Sequence, residues 1–147
     1  MNNQPQNTPA FVIASWIALA IGSAGFLIGL WNSEMNLEEK GYYFTVLMFG
    51  LYAAVSVQKS VRDRMEKIPV SDLYYGISWF GIVLAIALLA IGLFNTQSIE
   101  MHHKGFYAMA YTLALFAAIT VQKNTRDQIQ QADAYRVNSP EKQVSPF

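Results

Sequence analysis

Charge is absent from four stretches of the chain, residues 11–31, 41–57, 74–94 and 105–121, and all twenty Asp, Glu, Lys and Arg residues fall between or beyond them. The first and third stretches hold 21 residues each. At about 1.5 Å rise per helical residue each spans roughly 30 Å, the thickness of a bilayer's hydrocarbon core. The second and fourth hold 17 each and are expected to continue as helix past Gln58 and Gln122, with Lys59 and Lys123 reaching back to the interface. None alternates apolar and polar faces as a surface helix of a soluble protein does. The pattern predicts an all-α membrane protein of four transmembrane helices.

The four stretches are two copies of one unit. Ser15-Trp16 and Ile28-Gly29-Leu30-Trp31-Asn32 return 63 residues later as Ser78-Trp79 and Ile91-Gly92-Leu93-Phe94-Asn95. From Lys40-Gly41-Tyr42-Tyr43 the spacing is 64, giving Lys104-Gly105-Phe106-Tyr107. Val57-Gln58-Lys59-Ser60-Val61-Arg62-Asp63 then returns as Val121-Gln122-Lys123-Asn124-Thr125-Arg126-Asp127. Ten of the 23 positions from Gly41 to Asp63 are identical to their counterparts, and the matches include Gln, Lys, Arg and Asp. Each copy has one short connector, residues 32–40 or 95–104, so each is expected to be an antiparallel hairpin. An even number of spans per copy gives both the same orientation, two tandem hairpins related by an axis along the membrane normal. The expected organisation is an N-terminal tail (1–10), a first repeat (11–63), a linker (64–73), a second repeat (74–127) and a mobile tail (128–147).

Basic residues set the orientation. Lys59, Arg62, Arg64 and Lys67 flank the central loop and Lys123, Arg126 and Arg136 follow the last span, whereas the hairpin connectors carry only Lys40 and Lys104. The positive-inside rule places the central loop and both termini in the cytoplasm. Trp31, Tyr42, Tyr43, Phe94, Phe106 and Tyr107 then form an outer aromatic belt. Residues 1–10 lack Lys and Arg, and the first apolar run is too long for a signal peptide, so it is expected to remain in the mature protein.

The paired pattern of Gly-Leu-(Trp/Phe)-Asn, Lys-Gly-aromatic-Tyr and Gln-Lys-x-x-Arg-Asp resembles the YiaA/YiaB two-helix family of bacterial inner-membrane proteins, in particular its two-copy YiaA type. The resemblance runs from about Pro9 to Asp127. It implies the inner membrane of a Gram-negative bacterium and implies no reaction. One departure stands out: Glu39-Lys40-Gly41 in the first copy faces His103-Lys104-Gly105 in the second.

Candidate chemistry is sparse. Net charge is zero, with ten basic and ten acidic residues, so nothing global attracts nucleic acid. Cysteine is absent, which removes thiol chemistry and thiolate metal sites. The spans carry only hydroxyls such as Ser15, Ser23, Thr45, Ser56, Ser78, Thr112 and Thr120, too little for coupled ion transport. No nucleophile–base set, phosphate-binding glycine loop or paired catalytic carboxylates can be assembled. Neither catalytic nor cofactor residues are expected. Glu100, His102 and His103 invite a zinc hypothesis, but adjacent imidazoles diverge and the first copy has no His, so no metal is expected.

Small residues recur four apart. Ala18 and Gly22 correspond to Gly81 and Ala85, Gly50 and Ala54 to Ala114 and Ala118, and Gly25 with Gly29 adds a further pair. Such faces let helix backbones approach closely, either between the hairpins or at a subunit interface. Lys59 and Asp63, like Lys123 and Asp127, can pair along one helix face. Lys59, Arg62, Lys123 and Arg126 are candidates for anionic lipid or an acidic partner. Asn32 and Asn95 are expected to cap helix ends. The sequence therefore predicts a non-enzymatic membrane protein acting as a homo-oligomer or as an accessory subunit of a larger membrane complex. The alternative is a passive channel or small-solute permease formed by several copies.

Overall fold

The structure, a computed structural model, describes residues 7–138. Four helices follow in order: α1 (Pro9–Asn32), α2 (Leu37–Met65), α3 (Asp72–Asn95) and α4 (Met101–Asn138). All four are long and apolar enough to cross a membrane, and the chain is a multi-pass membrane protein. The parts of the terminal tails at residues 1–6 and 139–147 lie outside the described residues.

Local chemistry starts and stops the helices. Thr8 accepts the amide of Phe11 with Pro9 in the first turn of α1, Asn36 and Glu39 cap each other's backbone amides at α2, and Ser71 accepts the amide of Tyr74 at α3. Asn32 and Asn95 end α1 and α3, and each donates its amide back to a carbonyl one turn earlier, Ile28 or Ile91, at 2.8 Å. The connector lysines complete both ends. Lys40 donates to the carbonyl of Trp31 at 3.0 Å and Lys104 to that of Thr96 at 2.7 Å, placing a cation where the helix dipole is negative. The turn after α2 closes with Ile68 donating to Asp63 and with Lys67 in the left-handed region at φ 59°.

Five helix boundaries differ from expectation. Leu37 and Met101 already belong to helices, so the connectors are shorter than residues 32–40 and 95–104. α2 runs to Met65 and α3 begins at Asp72, which trims the linker. α4 continues as helix through Asn138, well into the expected mobile tail. Gln130 explains part of that extension, since it bonds Glu66 at 3.1 Å and accepts from Arg62 at 3.2 Å.

The helices pack across the repeats. α1 lies along α4, α3 lies along α2, and α2 and α4 meet in the centre, while the two helices of one copy touch only lightly and α1 and α3 do not meet. Small residues set these contacts. A Cβ on Gly22 would lie 2.7 Å from the backbone nitrogen of Ala114, so α1 and α4 approach backbone to backbone. The connector ends of the helices repeat one arrangement twice, with Gly29 against Phe106 and Tyr107, and Gly92 against Tyr42 and Tyr43. Tyr43 and Tyr107 therefore leave the expected aromatic belt. Each fills the hollow over the other copy's glycine, both are buried, and their rings stack at 6.2 Å. Trp31 and Phe94 remain exposed, as a belt requires. Phe26, Leu47, Tyr111, Ala54 and Ala114 complete the centre.

Candidate functional site

The densest polar cluster lies where α2 and α4 pass out of the apolar region together. Arg62 and Asp63 are the repeat counterparts of Arg126 and Asp127, and each arginine reaches across to the other copy's aspartate. Arg62 meets Asp127 at 2.6 Å and Arg126 meets Asp63 at 2.5 Å. Glu66 accepts from both arginines, at 2.5 Å from Arg62 and 2.8 Å from Arg126. Lys59 joins from one turn back on α2, 3.3 Å from Asp63. Three cations thus face three carboxylates, and the cluster is neutral. Asp63 is the most enclosed member, with its side chain 8% exposed. The hydrogen bond from Arg62, supported by Gln130 and Arg126 and opposed by desolvation, holds the Glu66 carboxyl below its ordinary value of 4.5.

An extension of this cluster ties down α1. Asn124, buried on α4, donates to the Ser15 hydroxyl at 3.1 Å. Asn7 donates to Asn124 at 3.1 Å and to Asp127 at 3.0 Å. The first copy has Ser60 where the second has Asn124, and its shorter side chain bonds the Val57 carbonyl of its own helix instead. The two copies therefore differ here: α1 is tied to α4 by side chains, and α3 has no matching tie to Ser60.

Several residues singled out in the sequence find definite places. Lys59 pairs with Asp63 one turn on. Arg62 and Arg126 spend their donors inside the chain, on Asp127, Glu66, Asp63 and Gln130. Asp127 is engaged by Arg62 and Asn7, and among the described residues Lys123 makes no ion pair. Gly22, Gly29 and Gly50 all touch α4, at Ala114, Phe106 and Tyr111, and a Cβ on Gly25 would lie 3.8 Å from the Phe106 ring. Gly81 faces Ala53 and Phe49 of α2. Ala54, Ala85, Ala114 and Ala118 are buried, and Ala18 is half-buried on α1. At the opposite end His102 lies 3.2 Å from Glu100, and its ring stands 4.1 Å from that of His103.

Sequence reasoning missed Glu66, Gln130, Asn124 and Asn7 as network members. It also missed the bridge from Glu39, whose carboxylate accepts from Thr96 at 2.9 Å and from Ser98 at 3.0 Å. That bridge gives the Glu39/His103 departure a structural consequence. Glu39 ties the first copy's α2 to the end of α3, whereas His103 lines a wider cleft of about 540 Å³ with Asn32, Ser33 and Glu34. Only the Glu39-Asn36 capping pattern carried a local sign. The bridging distances link residues more than fifty positions apart and left none.

Comparison with known proteins agrees with this two-copy organisation. The model of the yiaA/B two helix domain matches twice, at residues 11–63 and 74–127. The inner membrane protein YiaA of Escherichia coli K12 is 51% identical over 120 residues, covering 82% of each chain. The inner membrane protein YiaB of the same organism is 30% identical over 103 residues, 68% of this chain and 84% of its own. The uncharacterized membrane protein YubF of Bacillus subtilis 168 is 37% identical over 62 residues, 42% of this chain and 71% of its own. No solved structure matches. With both repeats matched from end to end and their motif residues paired across the core, the chain belongs to the yiaA/B two-helix domain family.

Proposed function

We propose that this chain is a non-enzymatic subunit of the bacterial inner membrane that works by assembly, with further copies of itself or with other membrane proteins, its termini in the cytoplasm. One observation carries it. Gly41 and Gly105, the glycines of the repeated Lys-Gly-aromatic-Tyr motif, sit in helices with nothing within 4 Å of where a Cβ would lie. Glycine inside a helix costs about 1 kcal/mol relative to alanine. No contact among the described residues repays that cost, yet both copies keep it. A close approach by a second helix from outside would use both positions, as small residues do between membrane helices. The filled centre, with Phe26, Tyr43, Tyr107 and Tyr111 packed together, favours assembly over a conduit through a single chain. The arginines and carboxylates of the cytoplasmic cluster are occupied by one another, which suits a structural role better than a catalytic one.

Native mass spectrometry from nanodiscs, with cross-linking in intact membranes, tests this. The wild-type chain is expected as an oligomer or with a co-purifying membrane protein. Gly41→Leu with Gly105→Leu should lose that species while thermal unfolding of the monomer stays unchanged. A wild-type chain found only as a lone monomer in both measurements would refute the proposal.

A further inference from the structure

The unmatched tie between the copies has a consequence on the opposite side of the bundle. Between α2 and α3 lies a cleft of about 280 Å³, nearly twice the about 150 Å³ of an apolar cavity that takes up benzene. Ser56 and Gly81 are among its lining residues, and Phe49, Tyr52, Tyr74 and Phe80 form its aromatic walls. Tyr52 and Phe80 are largely exposed, so the cleft opens sideways to the bilayer rather than to water. A Cβ on Gly81 would still lie 3.6 Å from Ala53 and 3.8 Å from Phe49, leaving room that its counterpart Ala18 reduces on the α1 side. There Asn124 also draws α1 to α4 through Ser15, whereas Ser60 stays on its own helix.

An empty apolar cleft facing lipid forfeits dispersion contacts along its walls, and the nearest thing to fill it is an acyl chain. One end of the cleft carries a cation. The Lys59 ammonium lies 6.0 Å from the centroid of the Tyr74 ring, and its side chain is 55% exposed. Its one carboxylate partner among the described residues, Asp63, is held more closely by Arg126. Arg62 and Arg126 face inward on the network, so among the three cations of this cluster Lys59 is the one placed to meet a headgroup.

We propose that the α2–α3 cleft is a binding site for an anionic diacyl phospholipid of the leaflet that meets the α2–α3 turn, with one acyl chain between Phe49, Tyr52 and Phe80 and the phosphate on Lys59. The site lies within one chain, so it stands or falls independently of assembly.

The full-length protein, transferred from mild detergent and titrated with phosphatidylglycerol or phosphatidylcholine, is read by native mass spectrometry. Wild type should retain phosphatidylglycerol preferentially. Lys59→Gln should weaken that retention about fivefold, the effect of one basic residue near an anionic surface, and Lys123→Gln should leave it unchanged. Gly81→Leu, which fills the cleft, should abolish retention of both lipids. Equal effects of the two lysine substitutions would overturn the proposal, since they would mark diffuse attraction and need no folded cleft. Full retention by a folded Gly81→Leu protein, or a tightly held mass that proves to be a second copy or a non-lipid molecule, would overturn it as well.

Discussion

Replacing Gly50 by alanine probes the contact on which the interleaved packing depends. A Cβ there would lie 2.1 Å from the Tyr111 hydroxyl and 2.7 Å from its Cζ. Tyr111 is 2% exposed and donates to the Val46 carbonyl at 3.1 Å. The new methyl must push the ring aside, which breaks that hydrogen bond at about 1 kcal/mol and overpacks the centre at about 2 kcal/mol. Better helix propensity returns about 1 kcal/mol, so Gly50→Ala should destabilise by about 2 kcal/mol. Tyr111→Phe alone should cost about 1 kcal/mol for the lost hydrogen bond. In the double variant that bond is lost only once and the closest atom is gone, so its cost should be about 1 kcal/mol rather than the additive value of about 3 kcal/mol. Equilibrium unfolding in detergent micelles, followed by circular dichroism or steric trapping, measures all four corners of the cycle. Additivity within about 0.5 kcal/mol would mean that Gly50 and Tyr111 do not meet, and the packing of α2 on α4 would be wrong.

Other perturbations follow from the same contacts. Asp63→Asn should destabilise by about 2 kcal/mol and Asp127→Asn by about 1 kcal/mol, because Asp63 is the more enclosed of the two reciprocal partners (side chains 8% and 20% exposed); chemical unfolding of the two variants gives the order. Lys40→Met and Lys104→Met should each lower stability by about 0.5 to 1 kcal/mol, as a cation is lost from the end of α1 or α3, again read by unfolding. Glu66 has its folded pKa depressed, so its contribution is complete above 4.5 and fades as pH falls through the lower folded value. Melting temperature should therefore drop as pH falls below 4.5 in wild type, with a smaller drop in Glu66→Gln. Asn124→Leu removes the hydrogen bonds that join Asn124 to Asn7 and Ser15 and should cost about 1 to 2 kcal/mol; faster hydrogen exchange at the start of α1 is the local sign.

The four spans and their duplication were legible because lipid imposes a simple rule. A segment in hydrocarbon must be apolar and must satisfy its backbone by itself, so helices announce themselves by length. Helix pairing obeys no such local rule. Ala18 and Gly22 recur as Gly81 and Ala85, so the small faces match whether a first helix packs on the second helix of its own copy or of the other. The same degeneracy hid the ion pairs. Lys59 with Asp63 and Lys123 with Asp127 satisfy helical spacing within each copy, and only the fold shows that Asp127 is taken by Arg62 from the other. Tyr43 and Tyr107 follow a Lys-Gly pair at the edge of an apolar run, where aromatics mark the interface, yet each faces the other copy's glycine and is buried. Asn124 and Ser15 are separated by 109 positions. No pattern along the chain connects them.

The interleaving also accounts for why two copies share one polypeptide. Each first helix finds its main partner in the second helix of the other copy, through Gly22 on Ala114, Gly29 on Phe106, and Gly92 on Tyr42 and Tyr43. A single copy offers those faces but not their complements, because its own two helices touch only lightly. A chain of one repeat could bury them only by pairing with a second molecule. Fusion turns that encounter into an intramolecular one at high effective concentration and lets the copies diverge where symmetry had forced identity. Asn124 in place of Ser60, Ala18 in place of Gly81 and His103 in place of Glu39 are such divergences. The first two both tighten the α1 side and leave the α2–α3 side open, so the asymmetry that duplication allowed is concentrated where the lipid-facing cleft lies.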